Sequence, residues 1–104
     1  MKVVWTRDAR LDVLSIRGRI ALDRPMVARR WATLLLQRVA LLADFPRSGR
    51  IVPEFDEAEL RDIVFGKHRV MYRVKNETVR IVRVWDARRL PPDRVGEAVT
   101  QYLR

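Results

Sequence analysis

Between Ala9 and Leu42 the apolar residues return every three or four positions; from Leu60 to Trp85 they alternate or run together. This single change of hydrophobic period constrains the fold more than any other feature. A stripe at helical spacing must be buried against something, and here the second half of the chain is the only partner large enough. The first stripe is Ala9, Val13, Ile16 and Ile20, widened by Leu11, Leu14 and Ala21. Thr6 or Asp8 can cap its start. Asp23-Arg24-Pro25 restarts a helix, with Asp23 as a cap and Pro25 tolerated in the first turn. The second stripe is Ala28, Trp31, Leu35, Val39 and Leu42, and Pro46 stops it. The spacing thus predicts helices over 8–22 and 24–44, joined as an antiparallel hairpin.

The remaining segments read as strands and turns. Val3-Val4-Trp5 is a short first strand. Residues 46–59 form a loop with one extended piece at Arg50-Ile51-Val52. Its acids, Glu54, Asp56, Glu57 and Glu59, are either a solvated run or a local counterweight to the basic residues that follow. Ile63-Val64-Phe65 is a strand ended by Gly66. Val70, Tyr72 and Val74 alternate with Arg69, Met71 and Arg73, the period of a strand with two unlike faces. Lys75-Asn76-Glu77 is a tight turn. Val79 to Trp85 is apolar on both faces, as a central strand over 78–86 would be. Pro91-Pro92 breaks the chain, and Asp93 can cap a short last helix to Leu103. The order β-α-α-β-β-β-α predicts one α+β domain over residues 1–104, a helical hairpin on one face of a small, mostly antiparallel sheet.

Charge narrows the function. Twenty-two lysines and arginines against 13 acids give a net charge of +9, and nineteen of the cations are arginine. Such a surface favours a polyanionic partner, a nucleic acid or an acidic protein, although a high-GC genome by itself raises the arginine share. Between residues 61 and 94 ten cations stand against four acids, so most of the excess lies in the sheet half. With the hairpin covering one sheet face, the cations are expected to gather on the other. No apolar run is long enough to cross a membrane, and the polar start argues against a secretory signal, so a cytoplasmic protein is expected. Cysteine is absent and His68 is the sole histidine, which argues against a metal site; no cofactor is expected.

In this order the residues resemble a known family. The carrying pieces are Ala9…Asp12-Val13…Ile16…Ile20, then Phe45-Pro46-Arg47-Ser48-Gly49-Arg50-Ile51-Val52-Pro53-Glu54, Leu60-Arg61-Asp62-Ile63, His68-Arg69-Val70-Met71-Tyr72-Arg73-Val74, and Val79 to Arg89. Together they resemble the RelE/ParE toxin superfamily of bacterial type II toxin–antitoxin systems, closer to the ParE-like branch. The resemblance implies a cytoplasmic toxin masked by a cognate acidic antitoxin in a hetero-oligomer. Its target would be DNA gyrase or, in the RelE-like case, mRNA on the ribosome. A degenerate basic binding module is a further alternative.

The nuclease members need cations on the phosphate and groups that move protons. Arg61 and Arg69 match two basic sheet positions of those members, and Arg88 or Arg89 matches an arginine beyond the last strand. Asp86 stands where many relatives have histidine, Ile63 where the nucleases often have a second lysine, and no tyrosine follows Arg89 before Tyr102. An ordinary aspartate, with a pKa near ~3.9, is ionised at neutral pH and cannot donate a proton. The proton-transfer half of the machinery is therefore the missing half, which favours the gyrase reading. The candidate target- or antitoxin-binding surface is Arg61, Lys67, Arg69, Arg83, Asp86, Arg88 and Arg89. Trp85 at the strand end either packs or contacts a partner. His68, the one residue that titrates near neutrality, is either a surface residue or a catalyst, and its alternation with Val70 and Tyr72 puts it on the covered face unless the strand begins after it.

Overall fold

A computed structural model describes residues 1–55, 57 and 59–89. The order of elements is β1 (Lys2–Trp5), α1 (Arg7–Asp23), α2 (Pro25–Ala40), a 3-10 turn at Leu41–Ala43, β2 (Arg50–Ile51), β3 (Leu60–Phe65), β4 (His68–Lys75) and β5 (Thr78–Asp86). The five strands form one sheet in the order β1-β5-β4-β3-β2. Only the β1–β5 pair is parallel. The expected last helix lies outside the described residues.

The hairpin forms as its stripes dictate. Ala9 and Ile16 of α1 are buried, with Val13 and Ile20 packed beside them; Ala28, Leu35 and Val39 of α2 are buried, followed by Leu42. These side chains meet Ile63, Val70, Tyr72, Val74, Val79, Ile81 and Val84 on one sheet face. Leu11 and Leu14 do not widen the stripe: they are 50% and 60% exposed, because they fall on the flank of α1 turned from the sheet. Asp23 ends α1 instead of capping α2; Arg24 holds the cap position of α2 without a side-chain hydrogen bond, and Pro25 opens the helix. The sheet's second face has its own small cluster, Val52, Leu60, Met71, Val82 and Trp85, covered by the loop that carries Phe55.

Thr6 joins strand to helix. Its hydroxyl accepts from Ala9 N (3.2 Å), capping α1, and donates to the carbonyl of Val82 (3.2 Å), while its own N–H donates to Ile81 (3.1 Å). The carbonyl of Val82 needs that partner because the β4–β5 register slips there: Met71 faces Arg83 but Tyr72 faces Ile81. The extra residue makes a bulge, which frees backbone groups and re-aims side chains.

Two positions carry tight backbone demands. A Cβ on Gly49 would meet the Asp62 carbonyl at 2.5 Å and the Tyr72 hydroxyl at 2.6 Å. The N–H of Gly49 donates to that hydroxyl at 2.9 Å, tying the loop after α2 to the sheet. The β4–β5 turn places Asn76 at φ 54° and Glu77 at φ 59°. Two positive angles in a two-residue loop are those of a type I′ turn, which suits asparagine and glycine. Glu77 occupies that conformation at a cost glycine avoids. Replacing Glu77 by glycine is therefore expected to stabilise the fold by about 0.5–1 kcal/mol. Thermal denaturation should show a midpoint roughly 2–6 °C higher; a lowered midpoint would contradict this reading of the turn.

Candidate partner- and target-binding surface

The arginines of the outer sheet face arrive there already partnered. Arg69 and Arg73 on β4 are buried, as is Asp62 on β3. The carboxylate of Asp62 accepts from Arg69 Nε at 2.7 Å, and again from Arg69 Nη2. It also accepts from Arg50 Nε at 2.9 Å. Glu54 closes on the far side of the Arg69 guanidinium with two bonds, 2.9 and 3.0 Å. The Arg69 hydrogen bonds hold the Glu54 carboxyl below the usual range, and the Glu54 bonds in turn raise Arg69. Arg73 meets Glu57 at 3.3 Å and Glu59 at 3.1 Å. Glu54, Glu57 and Glu59 are thus a counterweight to the sheet and not a solvated run. Trp85 lies under Arg69, whose guanidinium carbon stands 4.8 Å from the ring centroid, and is only 5% exposed.

Arg61 lies on the opposite face, across from Tyr72. Its guanidinium donates to the carbonyl of Gly49 at 2.8 Å and to that of Arg47 at 3.4 Å, so it holds the loop after α2. Arg83, re-aimed by the bulge, makes a two-pronged pair with Asp12 of α1 at 2.8 and 2.9 Å. Asp12 also accepts from the N–H of Val84 at 2.9 Å, replacing the strand partner that β1 is too short to supply. A single carboxylate on the apolar face of α1, three residues from Ala9, was the sequence signal for this contact.

The end of β5 is where charge meets solvent. Asp86 accepts from Arg88 through its backbone N–H (2.9 Å) and its guanidinium (3.0 and 2.6 Å). The Arg88 side-chain bonds hold the Asp86 carboxyl far below the ordinary range and raise Arg88. Arg88 and Arg89 are exposed. A cleft of about 270 Å³ beside them is lined by Arg19, Arg83, Asp86 and Arg89. Lys67 belongs to the β3–β4 turn, and His68 opens β4 opposite Asp86. His68 is buried, on the helical side, with its ring edge-on to Trp31 at 5.3 Å. Burial lowers its pKa against the attraction of Asp86, and the charges of Lys67, Arg19 and Arg88 lower it further. The structure thus divides the expected surface: Arg69 and Trp85 are sealed, Arg61 and Arg83 serve as ties, and Asp86, Arg88, Arg89 and Lys67 remain at the rim. Arg19 was not singled out in the sequence, and neither were Asp12 and Asp62 as partners of arginines; the loop acids were, as one of two readings.

Among the described residues no cluster of three or more histidines or acids is placed to hold a metal, and no helix is long and apolar enough to cross a membrane.

A helical hairpin laid on a small mixed sheet, with basic groups at the end of its last long strand, defines the class of the RelE/ParE toxins. The comparisons with known proteins agree. The fold is similar to a chain of the chromosomal ParDE toxin–antitoxin system of Pseudomonas aeruginosa (TM-score 0.71, 21% identity, 83% of this chain and 95% of that one). It is also similar to a chain of the toxin–antitoxin complex RelBE2 of Mycobacterium tuberculosis (TM-score 0.58, 24% identity, 82% and 95%). In sequence it is 36% identical over 90 residues to Toxin RelE2 of Caulobacter vibrioides, covering 86% of this chain and 98% of that protein. Residues 3–91 match the model of the ParE toxin of the type II toxin–antitoxin system parDE, and the chain belongs to that family.

The buried imidazole gives a prediction with a sign. A histidine whose pKa falls on folding binds its proton more readily in the unfolded chain. Its neutral, buried state is at full advantage above the unfolded value of about 6.5, and stability is lost as pH falls from there through the lower folded value. Substituting His68→Gln should therefore flatten the decline in melting temperature between pH 7 and the range where carboxylates titrate. Parallel curves for the two proteins would show that His68 is not held neutral by burial.

Proposed function

We propose that this chain is a ParE-like toxin that acts in the cytoplasm by binding DNA gyrase, is held inactive by a cognate acidic antitoxin, and cuts no bond itself. The observation that carries this reading is the internal neutralisation of the sheet. A ribonuclease of this architecture would need cations turned to the phosphate and a group to exchange protons. Arg69 and Arg73 already hold carboxylates. Arg88 occupies Asp86, and a carboxyl held that low is a poor proton acceptor.

The cations left at the rim, Arg88 and Arg89 with Arg19 nearby, are the proposed contacts for an acidic partner or target. An apolar groove of about 610 Å³ runs between the β1 edge and the helices, lined by Val3, Trp5, Val13, Leu14 and Leu36 with Lys2 and Arg10 at its margin. It suits an amphipathic antitoxin segment with acids along one side. The two solved relatives come from toxin–antitoxin systems, which supports such a partner. Ribosome-dependent cleavage is a second reading. It is favoured by one observation: His68 and Asp86 are register partners across β4 and β5, the pair such chemistry would use if solvent reached it.

Expressing the chain without its antitoxin and reading two outputs separates the readings. The proposal predicts induction of the DNA-damage response while protein synthesis continues. An Arg88→Ala/Arg89→Ala variant with an unchanged melting temperature should lose at least about tenfold in toxicity, as expected where charge-assisted contacts are removed. Immediate translation arrest with mRNA cleavage and no damage response would put the second reading in its place.

A further inference from the structure

A second groove lies at the tip of the hairpin and borders the surface described above, with Arg19 and Lys67 common to both. It has a volume of about 710 Å³ and lies between the end of α1, the start of α2 and the β3–β4 turn. Its walls carry two partly exposed aromatics, Trp31 and Phe65, with Ile20 and Val27 beside them. Val27 is 48% exposed although it belongs to a helix whose other face is core. Around these apolar groups stand Arg19, Arg24 and Lys67 against a single acid, Asp23. Among the described residues, none of these three cations makes an ion pair, whereas Arg50, Arg69, Arg73, Arg83 and Arg88 all do.

We infer that this groove binds a nucleotide, with the base against Trp31 and Phe65 and the phosphates between Arg19, Arg24 and Lys67. Size, shape and charge agree on that chemistry. Ligand sites of this kind span about 300–1,000 Å³ and combine an apolar wall with a few polar groups that fix orientation. Aromatic rings give a stacking surface that any base can use. Arginine forks match phosphate oxygens in a way that a diffuse positive surface does not. The edge-on contact with His68 sets the plane of Trp31, so the wall is formed before a ligand arrives. Burial disfavours the charged form of His68, so Arg19, Arg24 and Lys67 are the cations placed to balance a polyphosphate. Gly66 lies in the lining and adds no side chain to it. Arg88 and Arg89 lie outside this groove, so their substitution tests the target reading while Arg24, Trp31 and Phe65 belong to the groove alone.

The test is a titration of the purified chain with magnesium-free ATP, followed by tryptophan fluorescence. Saturable quenching is expected, with a half-point below about 1 mM. Inorganic tripolyphosphate should need at least about tenfold more, because it lacks the stacking base. Lys67→Ala and Arg19→Ala should each weaken binding by about tenfold, the usual scale for losing a charge-assisted hydrogen bond. Arg17→Ala, on the same helix but outside the groove, should leave it unchanged. Val27→Glu, at an exposed site, fills the groove with negative charge and should abolish binding without lowering the melting temperature. The inference is overturned if no saturation occurs, if tripolyphosphate binds as well as ATP, or if Arg17→Ala weakens binding as much as Lys67→Ala. It is equally overturned if an acidic peptide or a single-stranded trinucleotide takes the groove more tightly than ATP does.

Discussion

The carboxylate of Asp62, fully buried and held between Arg50 and Arg69, is the contact on which the outer half of the molecule depends. A buried guanidinium needs a counter-charge with good geometry, and removing one member of such a pair costs about 3–5 kcal/mol because the other stays behind unpaired. Asp62 alone cannot satisfy Arg69, so the loop after β2 folds back and brings Glu54 to its remaining nitrogens. The fold-back lays Val52 and Phe55 over Leu60, Met71, Val82 and Trp85 and gives the sheet a second small core. Apolar cover and charge cover therefore arrive with the same segment. What reads by composition as a basic sheet presents few unpaired cations on that face.

A second set of contacts positions the end of β5. β1 pairs with β5 only as far as Ile81, and beyond it the start of α1 serves as the neighbour through Thr6 and Asp12. The bulge at Val82 turns Arg83 toward Asp12 and lets Val84 return to the helical core. Arg88 and Arg89 thus leave the sheet from a strand end tied to both helix and hairpin. Rigid support of this kind is what a binding surface needs if its charges are to meet a partner in one register.

Most of the architecture was legible because it rests on periodicity. The stripe from Ala28 to Leu42 and the two-sided apolar run from Val79 to Trp85 each admit one reading, and α2 and β5 follow it. Strand 78–86 is interior, although β4 is the middle strand of the five. Leu11 and Leu14 misled because composition cannot tell which flank of a broad stripe meets the sheet. The site was less legible for a different reason. Its defining contacts join residues far apart in sequence, 15 positions between Glu54 and Arg69 and 71 between Asp12 and Arg83. An acid in a loop looks the same whether it faces water or a buried arginine. His68 was half readable: alternation placed it on the covered face, but only the packing of α2 reveals Trp31 against it.

The central claim is that the sheet's arginines are internal counter-charges and that, among the described residues, no proton-transfer group stands exposed beside them. The most direct measurement adds the purified chain to ribosomes carrying a defined mRNA and maps the message ends by primer extension. The account predicts no new ends in the A-site codon, at any concentration that stops growth. Specific A-site cuts that disappear on Arg69→Ala or Arg88→Ala would contradict it, because they would require those guanidinium groups to leave Asp62, Glu54 and Asp86 for the phosphate of the message.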